Sequence, residues 1–224
     1  SAPASSSRDV RWFVTEVGPE LSAGQDVAVS EAPDSTRTRL RNALVEIITT
    51  VVLAVVIYLV VQTFVVQTFQ VQQVSMVPTI QPGEHLLVDK LTPRFDDYSR
   101  GDVVVFRAPG TAEDETPFIK RIIGVGGDRV EIADGGVLVN GVALDEDYVA
   151  RGTTEPDCGE SVWNVPQGEI FLMGDHRNQS QDSRCFGTVA VDRVVGRAWL
   201  RFWPLDSLTI LTTPAYPDVP AAST

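Results

Sequence analysis

Residues 118–141 read FIKRIIGVGGDRVEIADGGVLVNG. Three short runs, 118–123, 129–132 and 137–139, are rich in β-branched side chains. They are separated by Gly126-Gly127-Asp128 and Asp134-Gly135-Gly136 and closed by Asn140-Gly141. Apolar runs this short, bounded by residues that tolerate positive φ or fix a bend, predict strands joined by tight turns. The same pattern recurs at 86–88, 103–106, 170–173 and 189–201, with another bend at Gln81-Pro82-Gly83. No repeat of fixed period is present. The expectation is an all-β domain of many antiparallel strands.

Upstream the pattern changes. Residues 47–66, IITTVVLAVVIYLVVQTFVV, are twenty residues with sixteen apolar and no charge. At about 1.5 Å per residue they match a roughly 30 Å hydrocarbon core, which predicts a single transmembrane helix. A cleavable signal peptide fits worse: some forty polar residues precede the run, and Gln67 to Val74 offers no small-x-small site. Arg37, Arg39 and Arg41 precede the run, and the nearest basic residue after it is Lys90. The positive-inside rule therefore puts the N-terminus in the cytoplasm and everything beyond about residue 67 outside. The resulting division is 1–42 cytoplasmic tail, mostly disordered apart from a Trp12-Phe13-Val14 patch; 43–67 membrane anchor; 68–210 exported catalytic domain; and 211–224 C-terminal tail.

The chain has 224 residues, 43% apolar and 21% charged, with a formal charge of −12. That is enough for one ordinary domain plus an anchor. After residue 46 there are 13 basic against 23 acidic side chains. Such a surface argues against nucleic-acid binding and against adhesion to anionic lipid through a basic patch. Contact with the bilayer should come from insertion and apolar surface, and Trp199, Phe202 and Trp203 suit either the membrane interface or a strand's packed face. Cys158 and Cys185 both fall in the exported part, where they either remain thiols or close a loop of about 28 residues. No C-x-x-C or Cys/His spacing points to a metal.

Two histidines leave little scope for histidine-based nucleophilic chemistry. A serine can instead be activated by a lysine whose amine is neutral, provided burial lowers its pKa from about 10.4. Ser75 stands a few residues beyond the apolar run in Ser75-Met76-Val77-Pro78-Thr79. Lys120, if 118–123 is a strand, shares a face with Phe118 and Ile122 and is partly desolvated there. A dense polar loop, Gly174 to Arg184, follows the apolar run 170–173; Asp175, Asp182, Arg177 and Arg184 could form ion pairs that hold it rigid. Asn178-Gln179-Ser180 matches a glycosylation sequon by chance.

In order, the anchor, Ser75-Met76-Val77-Pro78-Thr79, Gly101-Asp102-Val103-Val104-Val105-Phe106, Lys120-Arg121-Ile122-Ile123-Gly124 and Gly174-Asp175 through Asp182-Ser183-Arg184 resemble type I signal peptidase over roughly residues 40–205. The resemblance implies a β-rich catalytic domain whose apolar surface lies on the plasma membrane, and an enzyme that removes signal peptides after Ala-x-Ala sites without metal or organic cofactor. Its partners would be signal-peptide-bearing preproteins and the lipid bilayer. It implies Ser75 as nucleophile, Lys120 as general base and Ser180 as the hydroxyl that positions the amine. Asp182 and Arg184 would be supports, and Asp175 would lie close to the site.

Three positions depart from the family. Gln73 stands where a serine or other small polar residue is common, so its side-chain amide is a candidate second oxyanion donor beside the Ser75 N–H. Val125-Gly126-Gly127-Asp128 lacks a proline common in that turn, and His176 stands where asparagine is usual. The alternatives to a general signal peptidase are a maturation peptidase dedicated to one exported substrate and an inactive tethered domain that binds peptides.

Overall fold

The computed structural model describes residues 35–91, 97–112, 115–150 and 152–222. The Trp12-Phe13-Val14 patch, and the expected tail as far as residue 34, lie outside the described residues. Contacts divide the chain into two units, residues 1–48 and 49–224.

Helix α1 runs Ser35–Val60, so it begins before the expected anchor boundary at residue 43. Arginine, leucine and alanine between 37 and 44 are good helix formers, and the helix extends through them. Within it, residues 36–60 are long and apolar enough to cross a membrane, and their apolar side chains are exposed. At the other end the helix stops short of residue 66. A π-helical turn, Val61–Val65, gives way to strand β1, Val66–Gln70, whose residues pair from Val66 with Asp89 to Gln70 with His85. Gln62 and Thr63 interrupt the apolar run only briefly, and pairing with a neighbour sets where the strand begins.

The remaining strands are β2 His85–Asp89, β3 Val103–Phe106, β4 Phe118–Val125, β5 Arg129–Ala133, β6 Gly136–Val139, β7 Val142–Ala143, β8 Val162–Asn164, β9 Glu169–Met173, β10 Val189–Ala190, β11 Val194–Trp203 and β12 Thr209–Ile210. Among the described residues they form two antiparallel sheets. The larger has the order β1-β2-β11-β3-β4-β9-β10 with β12 beside β11, and the smaller the order β7-β6-β5-β8. This is the expected all-β antiparallel fold preceded by one apolar helix. In the quoted segment, Asp134-Gly135 and Asn140-Gly141 make two-residue turns between β5 and β6 and between β6 and β7, all four with positive φ. Positive φ at both central positions matches the strands' right-handed twist.

The expected single strand 189–201 is two. A short 3₁₀ turn, Val191–Arg193, carries the chain from β10 at one margin of the large sheet to β11 in its middle. Strand β3 is buried along its whole length. Val103 and Val105 pack with Leu86, Val88 and Ile119, whereas Val104 and Phe106 pack with Ile122, Ile170 and Leu172. A third cluster, including Ile123, Val130, Trp163, Phe171 and Val219, joins the two sheets. Covering both faces of a strand explains why its sequence is continuously apolar rather than alternating.

The expected C-terminal tail, 211–224, does not leave the domain as far as it is described. Leu211 packs on the cluster of Val103, Val105 and Leu86, and Val219 is buried in the third. Thr213 Oγ1 donates to Asp102 Oδ1 at 2.6 Å, and the Pro220 carbonyl accepts from Arg100 Nη2 at 3.0 Å. A disulfide joins Cys158 to Cys185, 27 residues apart.

Candidate active site

Ser75 opens a turn that begins five residues after β1. Met76 and Ile80, both fully buried in the cluster beneath β2 and β3, fix the turn from below, and Ile80 N donates to Met76 O at 2.8 Å. The Ser75 carbonyl accepts from His176 N at 3.0 Å, which ties the turn to the loop after β9. Ser75 itself is 4% exposed.

Lys120 lies on β4 opposite Val104, and its amine is 5.6 Å from the centre of the Phe118 ring. It is 1% exposed. The Nζ donates to Ser75 Oγ at 2.8 Å and to the Ile119 carbonyl at 3.1 Å. Burial lowers its pKa to about 8; Asp182 and Asp175 pull it back up, and Arg184 pushes it down. Desolvation of the charged amine is the largest effect, so a substantial fraction is neutral in mildly alkaline water.

The loop 174–184 is a rigid ion-paired frame. Asp175 receives two hydrogen bonds from Arg121, at 2.9 and 2.7 Å, and one from Thr79 Oγ1 at 2.5 Å. Arg121 also donates to the Gly101 carbonyl and stacks 3.9 Å from the Tyr148 ring, whose hydroxyl is 2.7 Å from that of Tyr216. Asp182 caps the short helix α2, Ser183–Phe186, and accepts from Gly174 N at 3.0 Å and from Arg184 Nε at 2.8 Å. Arg184 donates onward to the carbonyls of Glu155 and Arg177, and Arg177 forms an ion pair with Glu146. A side chain at Gly174 would collide with the Ser180 hydroxyl and the Ser75 carbonyl, so that glycine permits the close approach of loop and turn.

Ser180 is brought to this region, but its Oγ is buried without a hydrogen-bond partner and does not touch the Lys120 amine. The His176 Nδ1 is likewise buried and unpartnered. Gln73 is half-buried and lines one cleft together with Val74, Ser75, Phe118 and Lys120. A neighbouring apolar cleft is lined by Phe69, Val71, Leu86, Val105 and Ile119. Thr79, Arg121 and Tyr148 join the site with little in the sequence to mark them. The only signal for Thr79 was its place in the serine segment, and Arg121 stood hidden beside the lysine.

The description "Signal peptidase, peptidase S26" matches residues 44–203. A signal peptidase I of Leptolyngbya laminosa is 35% identical over 187 residues, covering 81% of this chain and 91% of its own. Signal peptidase IB of Staphylococcus aureus is 32% identical over 180 residues, covering 74% of this chain and 92% of its own. A solved signal peptidase I from Enterococcus faecalis is 32% identical, with 45% of this chain and 95% of that one covered at a TM-score of 0.38. Matched along 44–203 and identical at about a third of positions to relatives spanned almost end to end, this chain belongs to the signal peptidase I family, peptidase S26.

Proposed function

We propose that this protein removes signal peptides from exported preproteins as a membrane-anchored serine endopeptidase, with Ser75 as nucleophile and Lys120 as general base. The observation that carries this reading is the 2.8 Å contact between the Lys120 amine and the Ser75 hydroxyl, both buried, with the amine's pKa lowered to about 8. Neutral Lys120 takes the Ser75 proton as Oγ attacks the carbonyl carbon, giving a tetrahedral oxyanion. The same proton passes to the leaving amine as the peptide bond breaks and the acyl-enzyme forms. A water then gives a proton to Lys120 and attacks the ester, and the proton returns to Ser75 Oγ as the acyl group departs.

The oxyanion takes one hydrogen bond from the Ser75 N–H and a second from the Gln73 side-chain amide, which faces the same cleft. Gln73 makes no hydrogen bond through that amide among the described residues, which leaves it available. Ser180, whose buried hydroxyl has no other partner among the described residues, is the candidate to position the lysine amine. The substrate lies extended beside residues 71–73, adding a strand at that edge, with small side chains at its Ala-x-Ala positions entering the apolar cleft of Phe69, Val71, Leu86 and Ile119.

Helix α1 anchors the enzyme, with Arg37, Arg39 and Arg41 on the cytoplasmic side and the β domain outside. Exposed Trp203, Leu205, Leu208 and Ile210 at the β11–β12 turn support apolar contact with the bilayer. The test is turnover of a preprotein with an Ala-x-Ala site. Ser75→Ala and Lys120→Ala should each lower kcat on the order of 10³-fold or more. Cleavage that survives both substitutions overturns the dyad, and failure of the wild type on several preproteins favours a peptide-binding domain.

A further inference from the structure

Ser75 and Lys120 share their cleft with Gln179 and Gln181 as well as Gln73. Ser180, between the two, has extended backbone at φ −135° and ψ 119°. Gln179 ends a short 3₁₀ turn, Arg177–Gln179, and it and Gln181 are exposed, whereas Ser180 between them is half-buried and Asp182 is fully buried. Their main chain is held hard from behind. Gln179 N donates to the His176 carbonyl at 2.9 Å, Arg184 Nη2 donates to the carbonyls of Arg177 and Ser180 at 2.5 and 3.4 Å, and Asp182 is fully buried against Arg184.

We propose that Gln179 and Gln181 form a subsite for the first two residues of the mature chain, just after the cleaved bond, and that it favours hydrogen-bonding side chains there. This rests on the peptidase reading above. The apolar cleft and the glutamine cleft have Gln73 in common and share no other lining residue. A substrate whose signal-peptide end fills the apolar cleft and whose scissile carbonyl meets Ser75 carries its departing end across the second cleft. Lys120 is the only charged residue lining that cleft among the described residues, and the proposed chemistry uses it as a neutral amine. Each free primary amide offers two N–H donors and a carbonyl acceptor, so the pair reads serine, asparagine, glutamine or a carboxylate by hydrogen bonding without demanding a charge. Branched apolar residues in the same places strip water from the amides and give nothing back.

Two preproteins with one signal peptide and either Ser-Gln or Leu-Val after the cut, incubated with the full-length enzyme in phospholipid vesicles, test this. The wild type should prefer Ser-Gln by about fivefold in kcat/KM, the worth of roughly one hydrogen bond. The double variant Gln179→Met and Gln181→Met should bring that ratio close to one. Because the ratio is taken on one enzyme preparation, a partly folded variant does not distort it. Equal cleavage of the two preproteins by the wild type, or a preference that persists in the double variant, overturns the subsite while leaving the dyad standing. Failure of the wild type to cut either preprotein overturns the dyad reading and the subsite with it.

Discussion

The Lys120 amine hydrogen-bonds to one hydroxyl and one carbonyl, and among the described residues no carboxylate lies at bonding distance to offset its loss of water. With a folded pKa near 8 against 10.5 for the free side chain, the unfolded chain holds more protons across that interval, so stability rises as pH climbs from about 8 to 10.5 and is lowest below 8. The full penalty is of the order of 3 kcal/mol. Lys120→Met should therefore stabilise the protein at pH 7, and the gain should shrink by pH 10.5; urea unfolding at the two pH values measures it. In the proposed mechanism catalysis follows the same proton in the same direction. The kcat/KM profile should rise with an apparent pKa near 8 and flatten above it, and a rise deferred to about 10.5 would contradict a desolvated base. Gln73→Ala should lower kcat by about 10²-fold, as loss of one oxyanion donor does, with Gln73→Ser recovering part of it; stopped or quenched single-turnover assays separate this from binding.

At the level of elements, the turn bearing Ser75 and the loop after β9 are joined through Thr79, Asp175 and Arg121. Asp175→Asn leaves the Arg121 guanidinium buried and uncompensated, a change that costs about 3–5 kcal/mol and should show as a lowered urea midpoint. Gly174→Ala should abolish most activity, because the added methyl drives Ser180 and the Ser75 carbonyl apart. The strands between 118 and 139 are legible in the chain because Gly-Gly-Asp, Asp-Gly-Gly and Asn-Gly stop each apolar run where a positive φ is needed. Strand β1 is not legible: Val66 follows Val65 without any break in hydropathy, and only pairing with β2 distinguishes strand from helix. β8 and β12 are too short to carry a period. In the site, Ser75 and Lys120 stand out through their neighbours in sequence, but Arg121 and Asp175 lie 54 residues apart, and nothing local says that they meet. Ser180 illustrates the opposite case, a residue whose motif position suggests a bond to the amine that its hydroxyl does not make here.

On the scale of the whole molecule, distant segments are clamped together. The Cys158–Cys185 disulfide ties the loop before β8 to α2; replacing both cysteines by serine should lower unfolding free energy by about 3 kcal/mol, measured against the oxidised enzyme in urea. The strap of residues 211–222 clamps more widely, reaching Asp102 through Thr213, Tyr148 through Tyr216 and Arg100 through Pro220. These residues follow the entire β domain in order of synthesis, yet Tyr216 completes the stack of Tyr148 on Arg121 that steadies Asp175 and, through Thr79, the serine turn. A chain still emerging from the ribosome or translocon already possesses its serine and lysine but not the brace behind them. On the proposed reading of the site, the order in time becomes a safeguard: the place where the peptidase would cut gains its brace last, and a half-made copy lacks a settled blade.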